Sequence, residues 1–250
     1  MQSISEILAQ ELNCKQEYIE NVIALLDEGN TIPFIARYRK EQHGAMDDTA
    51  LRTLETRLQY LRNLAQRREE VKASIEAQEK LTDALAKAID EAKTLAEVED
   101  LYRPYKPKRR TRATIAKEKG LEPLADAIFA QTLKMDAPET LAQAYLDPEK
   151  GVETIEDALA GASDILAERI SDDAEVRKSL RALMNRRGTA QSAAAKDEED
   201  EKTAVYRQYF AFSQPISRLQ SHQVLALNRG EREGALKVGL SVDRDEALQC

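Results

Sequence analysis

Residues 47–77 read DDTALRTLETRLQYLRNLAQRREEVKASIEA, and this stretch decides the fold class of the chain. Leu51, Leu54, Leu58, Leu61 and Leu64 follow one another at intervals of three and four, which keeps one side of an α-helix apolar. Val71 and Ile75 continue that side. Asp47 or Asp48 is suited to cap its start, because a short carboxylate accepts the first free backbone N–H groups. A helix of about 30 residues is roughly 45 Å long at 1.5 Å per residue. The stripe is too short to establish a coiled coil and predicts packing against neighbouring helices.

Helical spacing extends to both sides of this segment. Upstream, residues 5–12 and 16–26 are amphipathic, the second through Ile19, Val22, Ile23 and Leu26. Gly29 is suited to end that helix, and Thr31 to cap a short one with Pro33 in its first turn. Downstream, helices are predicted over 81–92, 95–101, 115–119 and 121–129, and one or two over 152–187 with Ser171 and Asp172 as the intervening cap. After Gly188 the chain reads TAQSAAAKDEEDEKT (189–203), small and then acidic, which predicts an exposed connection leading to a helix around Tyr206, Tyr209 and Phe210. Ser221 caps a helix through Asn228. GALKVGLSVD (234–243) then alternates Leu236, Val238, Leu240 and Val242, the pattern of a half-buried strand. A lone strand needs partners, and these are expected beyond Cys250. The expected fold class is all-α, a multi-helix scaffold with a short β segment near the C-terminus. The expected organisation is a helical region over 1–188, an acidic connection and short helix over 189–220, and the start of a further, truncated domain over 221–250.

Composition supports this. Only 9 glycines and 7 prolines occur in 250 residues, there is no tryptophan, and 33% of residues are charged. The formal net charge of −8 repels phosphate on average, so any nucleic-acid contact must come from local clusters of cations. Cys14 and Cys250 have no partner spacing for a disulfide or a zinc site, which suits a reducing compartment. No apolar run approaches the roughly 18 residues that a membrane span requires, so a cytoplasmic location is expected.

The densest local cluster is RPYKPKRRTR (103–112), six of whose ten residues are basic. Pro104 and Pro107 hold its backbone away from helix, presenting Lys106, Lys108, Arg109, Arg110 and Arg112 on an extended segment. Three readings follow from the residues: phosphate contact, ion pairing inside the protein, or a solvated surface run. Tyr102 and Tyr105 either stack on bases or fill a groove. A second basic group, Arg37, Arg39 and Lys40 around Tyr38, is either a binding site or a helix end whose dipole favours cations. His43 and His222 lie in no metal-ligand spacing, the paired acids Asp47–Asp48 and Glu99–Asp100 read as a cap and a helix surface, and no P-loop, dinucleotide-binding or nucleophile-elbow motif occurs. The expectation is a non-enzyme without cofactor or metal.

Five strings go beyond helical pattern: LLDEGNTIPFIARYRKE (25–41), DDTALRTLETRLQYLRNL (47–64), EDLYRPYKPKRRTRATIA (99–116), EKGLEPLAD (118–126) and SHQVLALNRGEREGALKV (221–238). They resemble the N-terminal part of the bacterial Tex family of transcription accessory proteins, which has eukaryotic relatives among transcription elongation factors. The family tends to read TGGLDDT where this chain has HGAMDDT (43–49), so one glycine is replaced at Ala45. The resemblance implies a helical scaffold with helix-turn-helix-like elements, in a non-catalytic protein that binds RNA or DNA. It also implies a continuation into a nuclease-fold domain, helix-hairpin-helix elements and an S1 domain, the last being the family's main nucleic-acid contact. The alternative is a protein-interaction scaffold that docks to other domains or to transcription machinery.

Overall fold

A computed structural model describes residues 2–107, 109–131, 137–195 and 204–250. It is mainly helical with one small sheet, and its contacts divide it into two units, Met1–Tyr105 and Lys106–Cys250.

The first unit is organised on its longest helix. Its elements are α1 (Ile4–Glu11), α2 (Gln16–Asp27), α3 (Ile32–Tyr38), α4 (Asp48–Glu76), α5 (Asp83–Glu91) and α6 (Leu95–Tyr102). The Asp47 carboxylate accepts from the backbone N–H of Ala50 at 2.7 Å, so the expected cap forms. The leucine stripe of α4 serves two cores. Leu51, Leu54, Leu58 and Leu61 pack with Leu8 of α1, Ile19 and Val22 of α2, and Ile35 of α3. Leu64, Val71 and Ile75 pack with Ile89, Val98 and Tyr102 from α5 and α6.

Cations at every fifth residue of α4 tie the other helices to it. Arg57 forks onto Glu11 of α1 and Arg62 onto Asp27 of α2, each at 2.7 Å. Arg67 reaches Glu99 of α6 at 2.7 Å and Lys72 reaches Asp90 of α5 at 2.8 Å. Five residues advance a helix by about 7.5 Å and turn it by about 140°, so successive cations meet helices on different sides. Each exposed pair contributes about 0–1 kcal/mol, so burial holds the unit together and the pairs fix the seating of each helix.

The second unit contains α7 (Arg112–Glu118), α8 (Glu122–Ala130), α9 (Pro138–Ala142), α10 (Ile155–Asp172) and α11 (Ala174–Arg187). Small residues bring α7 and α10 together: Ala113 and Ala116 face Ala158 and Ala162, in one core with Leu121, Leu124 and Ile165. The cap between α10 and α11 is Asp173, which accepts from the N–H groups of Glu175 and Val176, and α10 runs on through the expected Ser171–Asp172 cap.

A three-stranded antiparallel sheet follows, in the order β2–β1–β3, with β1 (Thr189–Ala194) central between β2 (Ala211–Pro215) and β3 (Leu236–Ser241). Gln191 pairs with Ser213 on one side and with Gly239 on the other. Two expectations are corrected here. Residues 189–194 form a strand where their small side chains predicted a connection, because pairing on both sides overrides weak intrinsic β-propensity. The partners of the alternating segment lie within the chain, where they had been expected beyond Cys250. The expected helix around Tyr206 and Tyr209 is a 3-10 helix, Ala204–Tyr209, and it buries both rings against Leu227 of α12 (Ser221–Arg232) and Leu236 of β3. The alternation on β3 holds only at its start: Leu236 is buried, whereas Leu240 is 61% exposed. The acidic run at 197–201 lies outside the described residues. A short helix, α13 (Arg244–Leu248), ends the described chain.

Candidate nucleic-acid interface

The basic loop leaves α6 through a 3-10 turn, Arg103–Tyr105, and enters α7 at Thr111, whose hydroxyl accepts from the N–H of Thr114. Between these fixed ends Lys106, Arg109 and Arg110 are all exposed, as is Arg112 at the first position of α7. Lys108 lies outside the described residues. The readings that the residues left open divide along the loop. Arg110 is taken up internally by Glu118 of α7 at 2.6 Å. Arg112 faces Asp164 of α10 at 3.5 Å, which offsets the cost of a cation at a helix N-terminus. Lys106 and Arg109 have no carboxylate partner among the described residues.

The acids just upstream are engaged elsewhere. Glu97 closes the capping box of α6 with Thr94, and Glu99 belongs to Arg67. Tyr102 fills a groove: its ring is buried under the Arg67 guanidinium at 5.5 Å, and its hydroxyl lies 2.9 Å from that of Ser74. It is therefore unavailable for stacking on a base.

The second basic group sits at the end of α3, in the first unit. Arg39 is half-buried; its guanidinium lies over the Phe34 ring at 5.3 Å and donates to the Tyr38 carbonyl at 3.1 Å. Arg37 and Lys40 are exposed, and neither has a carboxylate partner among the described residues. Glu41, which follows Lys40 directly, forms no ion pair among those residues. The two groups thus belong to different units.

Two sets of cations escaped the sequence reading. Of those on α4, four form the pairs described above, Arg52 pairs with Asp48 at 2.7 Å, and Arg68 donates to the Ala92 carbonyl at 2.5 Å. Those of α11 are Arg177, Lys178, Arg181, Arg186 and Arg187 against the single acid Glu175, an imbalance that counting charge helix by helix would have found. Arg187 pairs with Glu246 of α13, and Arg177 donates to the Ser171 carbonyl at 3.3 Å. Among the described residues no group of three or more His, Cys, Asp or Glu lies close enough to hold a metal ion. No helix among those residues is long and apolar enough to cross a membrane.

Residues 2–76 match the family model of the Tex-like protein N-terminal domain, and residues 134–249 match that of the Tex central region. Protein tex of Bordetella pertussis is 46% identical over 238 residues, 95% of this chain and 30% of that protein. Transcriptional accessory protein Tex of Neisseria gonorrhoeae is 44% identical over 246 residues, 98% of this chain and 32% of that protein. The chain belongs to the Tex family. A more distant relative, human S1 RNA-binding domain-containing protein 1, is 32% identical over 247 residues, 95% of this chain and 24% of that protein. The chain spans about a third of the length of the bacterial Tex proteins it matches. The Tex N-terminal match ends with the last residue of α4 and contains Arg37, Arg39 and Lys40. The central-region match takes in α9 to α13, so the basic loop falls between the two matched segments.

Proposed function

We propose that this chain is a non-catalytic, nucleic-acid-binding scaffold of a transcription accessory protein, in which Lys106 and Arg109 contact phosphate. One observation carries the reading. Lys106 and Arg109 stand exposed without an internal carboxylate, while their neighbours Arg110 and Arg112 are paired, and Pro104 lies in the 3-10 turn and not in the extended backbone expected of it. Cations left free in a chain of net charge −8 are the ones able to release counterions from a nucleic acid. Lys108 joins them on the sequence reading alone. The names of relatives support the wider setting, one as a transcriptional accessory protein and another as an S1 RNA-binding domain-containing protein. Partners from the transcription machinery and a cytoplasmic location belong to the same reading. So do helix-turn-helix-like elements, for which the α10–α11 junction at Asp173 is the place of choice.

Binding of labelled RNA and DNA across a salt series tests this. The Lys106→Ala/Arg109→Ala double variant is expected to bind more weakly and to lower the salt slope by about 1.4–1.8, from about 0.7–0.9 per lost contact. Arg110→Ala/Arg112→Ala is expected to change the slope less, since each of those cations is already partly neutralised. Coincident curves for wild type and the first double variant would overturn the assignment.

A further inference from the structure

Tyr38, the last residue of α3, is 56% exposed. Only one other aromatic residue among the described residues is comparably exposed, Phe129, and the Arg169 guanidinium lies over its ring at 5.2 Å. Among the described residues no cation covers Tyr38. The guanidinium of its neighbour Arg39 is seated on Phe34, and Phe34 in turn supports one side of Tyr38, with ring centroids 5.2 Å apart and planes inclined at 46°. The ring is therefore held from behind and open in front. On either side in sequence stand Arg37 and Lys40, both exposed and without a carboxylate partner among the described residues.

A helix-end dipole accounts for cations here but gives no reason for an uncovered aromatic ring among them. Leaving a large ring in water forgoes the favourable burial it would have in a core. A ligand that supplies both a flat apolar face and closely spaced negative charge would use every part of the arrangement. Single-stranded nucleic acid has that chemistry, since its bases are free to stack and its phosphates flank them. A duplex does not, because its base faces are already stacked.

We propose that Tyr38, flanked by Arg37 and Lys40, is a base-stacking subsite for single-stranded nucleic acid. The proposal rests on the nucleic-acid reading above, but it uses a different unit of the chain and a different chemistry from the phosphate contacts of Lys106 and Arg109.

The absence of tryptophan makes the test direct, because Tyr38→Trp would place the chain's single indole at the subsite. That variant is titrated with oligouridylate, oligothymidylate and a blunt DNA duplex, and saturation is followed independently by anisotropy of end-labelled strands. Single strands are expected to quench the indole emission while the duplex leaves it unchanged. Tyr38→Ala is expected to weaken single-strand binding on the order of tenfold, with Tyr38→Phe close to wild type. Quenching by both single strands identifies base stacking alone; quenching by the RNA only adds a 2′-hydroxyl contact to it. Unchanged emission at saturation, equal quenching by the duplex, or wild-type affinity in Tyr38→Ala would each overturn the subsite. If Tyr38→Ala binds as wild type while Lys106→Ala/Arg109→Ala does not, the subsite falls and the loop contacts stand. If the wild-type chain binds none of the three nucleic acids, both readings fall. Far-ultraviolet circular dichroism of each variant confirms that α3 and the rest of the fold are intact.

Discussion

Ala45 sits at φ +61° in the turn between α3 and α4, directly after Gly44 at φ +59°. The left-handed region costs a residue with a Cβ about 1–2 kcal/mol. Replacing alanine by glycine also loosens the unfolded chain, at a cost of about 0.4–1 kcal/mol. The first effect is the larger, so Ala45→Gly is expected to raise stability by about 0.5–1 kcal/mol, measured as the shift of a urea midpoint at constant slope. Gly44 leaves less room for change: a Cβ there would lie 2.4 Å from the Tyr18 ring. The sequence showed only that Ala45 stands where the family tends to have a second glycine; its strain follows from the positive φ. The loop cations were legible as a cluster but not as individuals. Their sorting depends on Asp164, which is distant in sequence and is brought to Arg112 by the packing of α7 on α10.

At the scale of elements, α4 takes part in both cores of the first unit. Leu54 and Ile75 are fully buried, one in each core. If α4 makes the unit cooperative, Leu54→Ala and Ile75→Ala will each lower the same unfolding transition, by about 2–5 kcal/mol. Separate transitions in calorimetry, each moved by one variant only, would show that the two cores melt independently. α4 itself could be read from its leucines, because a helix records its buried side in local spacing. β1 could not. Its inward residues are Ala190 and Ser192, too small to mark a strand, and its stability comes from ladders to segments more than fifteen residues away. The cations at every fifth residue of α4 went unread, because nothing local to α4 says which helix each one meets.

Across the whole molecule, carboxylates held by cations and caps set the response to acid. The Arg57 guanidinium holds Glu11 below its ordinary value of 4.5, and Arg62 holds Asp27 below 3.8. In the second unit the Lys150 ammonium lowers Asp147, the Thr154 hydroxyl lowers Asp157, and Arg229 lowers Glu233. Groups with depressed folded values add stability that is complete above the unfolded carboxylate range and is lost as pH falls through the depressed values. Urea midpoints are therefore expected to be level near neutrality and to drop below the ordinary carboxylate values. Glu11→Gln/Asp27→Asn is expected to lower the neutral plateau of the first unit and flatten its acid limb. An unchanged acid limb in that variant would show that these pairs contribute nothing.

The position of α4 also bears on how the chain is made. It is the last of the four helices that build the first core, and a ribosome delivers the N-terminus first. Once α3 is complete, Leu8, Ile19, Val22 and Ile35 still await Leu51, Leu54, Leu58 and Leu61. At synthesis rates of about 5–20 residues per second, that wait lasts roughly one to five seconds. During this interval the nascent chain presents a greasy surface that the finished protein hides, and it is then that a ribosome-associated chaperone has something to hold.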